Sequence, residues 1–341
     1  MKFLILLLSL YVIGCVNIGP DVALQPSMGE IRVDSPRYYK VLQIQYLGSG
    51  GFFLRRGDQA ILTAPMYTNP HWAQVGLGLI KPDTSRIDWL HPILAGVNVE
   101  SILVGHAHYD HLLDVPYIAR TFHPSARIYG SPTATNIAIA AEPSIEGKMI
   151  SLSEEVSRDG EPGRWFYASD SSYRFMAIAS GHGPHAAFIH IMQGEIKEKL
   201  NSPPKMAWGW KEGETLAYLV DFLAVDRHID FRLYYQDATT PDSVGFPPHF
   251  PLQEDVPIDL AIFCVGASQA QPGYPMFFMK RYKPKHVILG HWEYFWKSPM
   301  KKATRLPVTD ISNFVEKVTK YSPDTKWILP KPRAVYHYEL D

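Results

Sequence analysis

The stretch GHAHYDH, Gly105 to His111, packs three histidines and an aspartate into seven positions directly behind the apolar run SILV at 101–104. Imidazoles and a carboxylate at the end of a buried strand cost free energy unless something binds them. Side chains alternate with period two in an extended segment, so His106 and His108 share one side. Asp110 and His111 follow where the chain turns into a helix, and they can face a second point. Imidazole nitrogen and carboxylate oxygen suit Zn²⁺ and similar ions. Two ions a few Å apart need about six or seven such donors.

More donors stand at the ends of other apolar runs. His182 follows YRFMAIAS at 173–180, Asp237 ends FRLYYQD at 231–237, and His291 ends HVILGH at 286–291. A lone His-x-His is most often incidental; several strand ends that each stop on a metal-competent residue form a pattern. His185, three residues after His182, competes for the same role. His182 is preferred because it directly follows the apolar strand, which leaves His185 as a substrate contact or a loop residue. The other histidines read as ordinary surface or core residues.

The chain has 341 residues, 46% hydrophobic and 20% charged, enough for a large core. Its formal net charge is −1, and no Lys/Arg run forms a basic stripe, which argues against nucleic acid as a partner. The opening MKFLILLLSLYVIGC has one Lys, a short apolar stretch and a small residue before Cys15. A membrane span needs roughly 20 apolar residues, so this reads as a signal peptide. VIGC resembles the bacterial lipobox, in which the cysteine is lipidated and becomes the mature N-terminus. The expected organisation is a lipoprotein signal peptide at 1–14, a polar tether at 15–36 and a folded domain at 37–341. The expected location is extracytoplasmic, held to the outer membrane or cell surface by the lipid on Cys15. An ordinary secretory signal or an uncleaved anchor is the competing reading. Cys264, inside DLAIFCVG, is expected to be a buried strand residue.

Strands are expected in YKVLQIQYLG, GFFLRRGD and QAILTAP, and in SILVG just ahead of the histidines. A helix is expected over 110–121, limited by Pro116, with Asp114 as a solvated or capping carboxylate. Ser131 and Pro132 form an N-cap and first-turn signature for a following helix. Strands and helices mix again in the second half, which predicts a layered α/β arrangement of two packed sheets with helices outside.

His106-Ala107-His108-Tyr109-Asp110-His111 resembles the HxHxDH motif of the metallo-β-lactamase superfamily, and the later His, Asp and His fall in that family's order. The resemblance covers roughly residues 40–300. It implies an α/β fold, an αββα sandwich of two mixed sheets with helices on the outer faces and a dinuclear site at one edge. It implies two divalent metal ions, with zinc expected. His106, His108 and His182 would hold one ion, Asp110, His111 and His291 the other, and Asp237 would bridge them. The opening YLGSGGFFLRRGDQAILTAP is most similar to the branch with N-acylphosphatidylethanolamine phospholipase D and lactonase-like hydrolases. One departure stands out: relatives usually end this strand pair in Asp-Pro, and this chain has Ala64-Pro65.

The implied chemistry is hydrolysis by a hydroxide bound between the metals, with Asp110 orienting it and handling its proton. The expected substrate is small or lipid-like, an amphiphile with a phosphodiester, ester or lactone bond. Trp292, Tyr294 or Phe295, just after the ligand His291, are expected to line the pocket. The alternatives are an iron-dependent redox member of the superfamily and a non-catalytic metal-binding surface lipoprotein.

Overall fold

Along one short strand, Phe52 and Leu54 join one hydrophobic cluster while Phe53 joins another, the two-residue alternation of a strand buried on both faces. The same split recurs at Leu103 against Ile102 and Val104. A sheet apolar on both faces must be covered on both. The computed structural model describes residues 24–340 except 30, 32–34, 36, 93–95, 186–188, 252–253, 299–300 and 308. Residues 1–14, the expected signal peptide, and Cys15, the expected lipidation site, lie outside the described residues.

The first sheet takes β1 (Val41–Gly48), β2 (Gly51–Arg56), β3 (Gln59–Thr63), β4 (Asn98–Leu103), β5 (Arg127–Gly130) and β6 (Met149–Ser151). The second takes β7 (Phe166–Tyr167), β8 (Tyr173–Ala179), β9 (Leu216–Leu223), β10 (Ile229–Gln236), β11 (Leu260–Cys264), β12 (His286–Gly290) and β13 (Lys326–Ile328). The last strand, β14 (Val335–Glu339), returns to the first sheet and pairs antiparallel with β1. The strand orders are β14-β1-β2-β3-β4-β5-β6 and β13-β12-β11-β10-β9-β8-β7. In the first sheet, pairing is antiparallel from β14 through β3 and parallel from β3 to β6. The second sheet repeats this plan, antiparallel from β7 to β10 and parallel from β10 to β13.

The larger cluster joins the sheets, with Leu42, Ile44 and Tyr46 of β1 in the same core as Phe175, Tyr218, Leu233 and Phe263 of the second sheet. The other cluster packs Leu62 and Ile102 of the first sheet with Ile87, Leu112, Ile118 and Ile137, the last four from helices. Those helices belong to a series of α1 (Trp72–Leu77), α2 (Thr84–Leu90), α3 (Tyr109–Leu112), α4 (Val115–Thr121), α5 (Pro132–Ala141), α6 (Met276–Tyr282) and α7 (Ile311–Tyr321). Ser131 caps α5 by accepting from the Ala134 N–H at 3.3 Å. Asp310 caps α7 through the Asn313 N–H at 2.9 Å, and Ile311, Phe314 and Val318 form its buried stripe.

Two expectations change. The helix expected over 110–121 is two, α3 and α4, and Pro116 stands in the first turn of α4, where no intrahelical N–H bond is lost. Part of the expected tether is docked: Gln25 N–H donates to Leu329 O at 3.0 Å and Met28 N–H to Val335 O at 2.8 Å. Among the described residues, no helix is long and apolar enough to cross a membrane.

Three adjacent strands share a buried charge cluster. Asp221 of β9 faces Arg174 of β8 and Arg232 of β10 in register. It accepts from Arg174 Nε at 2.9 Å and from Arg232 Nε and Nη2 at 2.7 and 2.9 Å, with its own side chain fully buried. Removing one member of such a cluster leaves uncompensated buried charge. Asp221→Ala is expected to lower the unfolding free energy by about 3–5 kcal/mol. Urea denaturation checks this, and a loss under about 1 kcal/mol would contradict it.

Candidate metal centre

The donors meet because strand ends from both sheets meet. After β4 the chain passes through Val104 and Gly105 to His106. Gly105 O accepts from Leu216 N–H at 2.7 Å, and Ala107 N–H donates to Glu212 O at 2.9 Å, which fixes this loop against the second sheet. His108 is the N-cap of α3 but makes no side-chain cap bond, so its ring is turned to the pocket it lines. His182 follows β8, Asp237 follows β10 and His291 follows β12.

Bare backbone makes the approach feasible. A Cβ on Gly105 would lie 2.2 Å from Asp237 Oδ1, and one on Gly50 would lie 2.6 Å from His111 Nδ1. Gly50 is itself held, its carbonyl accepting from Thr63 Oγ1 and the Tyr235 hydroxyl, both at 2.6 Å.

Asp237 therefore sits between two imidazoles, with His106 Nδ1 at 3.0 Å from Oδ1 and His111 Nδ1 at 3.1 Å from Oδ2. Asp110 Oδ2 lies 3.3 Å from His291 Nε2 and 3.5 Å from His111 Nε2. The His182 ring centroid is 4.8 Å from that of His106 and 4.9 Å from that of His108. Three sets have ligand atoms within 4.8 Å of one another: His106, His108 and His182; His106, His111 and Asp237; Asp110, His111 and His291. His106 Nε2, His108 Nε2 and His291 Nδ1 are buried without a hydrogen-bond partner, while His111 Nδ1 and Asp237 Oδ2 have only each other, as an ion pair at 3.1 Å. A buried polar atom left unpaired costs about 1–3 kcal/mol, so several in one cluster fit a site for bound cations.

The electrostatics agree. Burial, then neighbouring imidazoles, hold His108 and His182 well below the usual histidine range, which keeps them in the neutral, ligating form. Burial and His111 also lower His106 despite Asp237. Burial alone would raise Asp110, but His111 and His291 reverse it and hold the carboxyl well below its ordinary value. Asp237 is lowered in the same way, against its burial, by His106 and His111. Burial lowers His111, but Asp110 and Asp237 outweigh it and raise His111 to about 10. Two ionised carboxylates in this space demand positive charge.

Supporting contacts orient the rings. His182 Nδ1 contacts Gly183 O at 2.7 Å; as donor there, it leaves Nε2 as the free lone pair. His291 has φ +55, and its N–H donates to the Tyr46 hydroxyl at 2.9 Å. That hydroxyl donates to Glu293, whose Oε1 also accepts from Ser49 N–H at 2.6 Å. Neither Tyr46 nor Glu293 stood out in the sequence, although an acid inside the aromatic run HWEYFW was a signal. Ala64 is fully buried in the helix-side core.

The donors open into a cavity whose wall includes His185, Ile191, Met192, Phe295, Trp296 and Leu306. His185 stacks on His182 with centroids 4.7 Å apart but belongs to none of the three donor sets. Two expected wall residues lie elsewhere. Trp292 is buried in the inter-sheet core, its Nε1 donating to Pro330 O at 2.9 Å. Tyr294 lines a neighbouring groove instead. Trp296 takes the wall position, tied to the Tyr109 hydroxyl at 2.8 Å.

Asp114 is not solvated, and although it stands at the N-cap of α4 its carboxylate does not cap the helix. It is buried just before α4, makes no cap bond, and accepts from the N–H groups of Tyr67 and Thr68 at 2.7 and 2.8 Å and from the Thr68 hydroxyl. Burial pushes it up to about 6 against those donors.

No protein-family model matches the chain, and no curated protein matches it. Among solved structures, the chain is similar to Igni18, a metallo hydrolase from the archaeon Ignicoccus hospitalis. That match has 14% identity and TM-score 0.51, covering 88% of this chain and 100% of the other. It is also similar to an isothiocyanate hydrolase from Delia radicum gut bacteria, with 11% identity and TM-score 0.50, covering 87% and 99%. A third, the metallo-β-lactamase fold protein YhfI from Bacillus subtilis, has 10% identity and TM-score 0.47, covering 87% and 100%. At such identities the likeness is one of fold. The architecture is α/β, two mixed sheets with helices outside, the αββα sandwich of the metallo-β-lactamase type.

Asp114→Asn replaces one of two accepting oxygens with an amide that faces donors. The expected cost is about 1–3 kcal/mol of stability, with looser packing of residues 67–69. Chemical denaturation and amide exchange at Tyr67 and Thr68 check it, and unchanged protection at both positions would contradict it.

Proposed function

We propose that the protein is a metal-dependent hydrolase that cleaves a phosphodiester, as a phospholipase D does, or an ester or lactone bond in an amphiphilic substrate. The observation that carries this reading is the cluster of buried, unpartnered donors shared among three overlapping ligand sets. In this reading His106, His108 and His182 would hold one divalent ion and Asp110, His111 and His291 the other, with Asp237, between His106 and His111, as a further carboxylate ligand; zinc is the expected metal for such a nitrogen-rich set. Bound ions of this kind supply Lewis acidity to a phosphoryl or carbonyl oxygen and bring the pKa of a coordinated water to about 7.

The chain's own groups do the rest. Asp110, ionised and facing the cavity, orients the attacking water and accepts its proton. His185 Nδ1 lies 3.4 Å from the Ile191 N–H; accepting there places the ring proton on Nε2, available to a substrate oxygen. Phe295, Trp296 and Leu306 take the apolar part of the substrate and keep water from it.

Metal analysis of the purified protein is expected to give two ions per chain, and a panel of phosphodiesters, esters and lactones to reveal turnover. On the active substrate, Asp110→Asn should cut kcat by about 10²–10⁴ when measured at full metal occupancy, because the amide cannot take a proton. Near wild-type turnover at full metal occupancy would remove Asp110 from the mechanism.

We also propose, from VIGC alone, that Cys15 carries a lipid and holds the domain at a membrane outside the cytoplasm. Cys15→Ala should release the protein to the soluble fraction with altered gel mobility. Continued membrane attachment with unchanged mobility would refute the anchor.

A further inference from the structure

Beside the metal cavity lies an open groove of about 710 Å³, and Trp296 lines both. Residues between Thr68 and Arg86 form one wall, and Tyr294, Trp296, Lys297, Ser298 and Lys301 line the other. Both walls are fixed. Thr68 is held by Asp114, and its Oγ1 accepts from Asp83 N–H at 2.9 Å. Arg86 is pinned by Asp83, at 3.0 Å, and by the Thr68 carbonyl. Asn69 Nδ2 donates to Phe295 O at 2.9 Å and ties the two walls together.

The groove's charge is one-sided. Lys81, Arg86, Lys297 and Lys301 line it, against one carboxylate, Asp83, which is already committed to Arg86. Among the described residues, no carboxylate is within ion-pair distance of Lys81, Lys297 or Lys301. Lys297 Nζ reaches only a neutral partner, Thr304 Oγ1 at 3.2 Å, beside the Tyr294 ring. Like charges lining one groove repel, and an anion between them relieves this. Asn69 lines the groove as well, with its Nδ2 committed to Phe295 O. Trp72 and Leu79 add apolar surface at the same groove.

We propose that this groove binds a phosphate-bearing amphiphile, with Lys81, Lys297 and Lys301 around the phosphate. Three ammonium groups match a dianionic phosphate better than a single carboxylate. A molecule anchored there extends past Trp296 towards the metal cavity, so the groove is a substrate subsite; that last step rests on the hydrolase reading above.

The test is equilibrium titration of the full-length, metal-loaded protein at low ionic strength. The probes are dihexanoyl phosphatidic acid below its critical micelle concentration and glycerol 3-phosphate, with dihexanoylglycerol as the uncharged control. A Lys81→Ala/Lys297→Ala/Lys301→Ala variant should bind both phosphates at least tenfold more weakly, with the uncharged control unchanged. The corresponding triple arginine variant should keep at least a third of the wild-type affinity. Phosphatidic acid binding tenfold tighter than glycerol 3-phosphate would assign the anion to a lipid headgroup, and equal affinities to a soluble phosphate ester. Wild-type affinity in the alanine variant would place the phosphates on the metals and overturn the proposal. So would an equal loss in the arginine variant, since charge would then not be what binds. Absence of turnover on every ester, with the tenfold difference intact, would sink the hydrolase reading and leave the phosphate site standing.

Discussion

Everything at the candidate centre depends on Asp237 reaching between His106 and His111, at 3.0 and 3.1 Å. That approach brings an aspartate from the second sheet against two histidines of the first. It is possible only because Gly105 and Gly50 present bare backbone where any Cβ would lie within 2.6 Å of a donor atom. The constraint then propagates outward. With Asp237 in place, the carboxylates of Asp110 and Asp237 enclose His111, and the cluster carries more negative than positive demand unless a cation or the His111 proton answers it. A cation answers it better, because it also satisfies the lone pairs of His106 and His108, which a single proton on His111 leaves untouched.

The supporting groups follow the same logic. His291 must turn out of β12 in a left-handed conformation to face Asp110, and such a conformation persists only where the surroundings over-determine it. Tyr46 and Glu293 do that, one accepting from the His291 N–H and the other fixing Tyr46 and the Ser49 backbone. Glu293 is two residues in sequence from His291, the candidate ligand it stabilises, yet acts through a tyrosine of the opposite sheet.

The metal-competent residues were legible because their spacing is short-range and their chemistry is rare. The strands were legible for a similar reason: VLQIQYLG, LAYLVDFL and LAIFC are runs whose burial needs no distant information. What escaped the sequence depends on contacts between distant segments. Strand β14 pairs with β1 from the far end of the chain, and nothing local announces that edge. Asp114 looks like a helix-entry carboxylate, and only the fold reveals the Tyr67 and Thr68 donors facing it. The aromatic wall failed for a geometric reason. Positive φ at His291 breaks the strand alternation, so Trp292 enters the inter-sheet core while Phe295 and Trp296 swing to the cavity.

The short segment from His108 to Asp114 links the two features of this surface. Its first half supplies three candidate ligands, His108, Asp110 and His111; its last residue holds Thr68 and, through it, the loop that forms one wall of the basic groove. Between them, Leu112 and Leu113 are buried in the helix-side core, which gives the segment a single packed position. A shift of this segment would move the donors and the groove wall together. The spacing between the cavity and the groove is therefore set by a few residues of rigid backbone, the condition the proposed subsite requires.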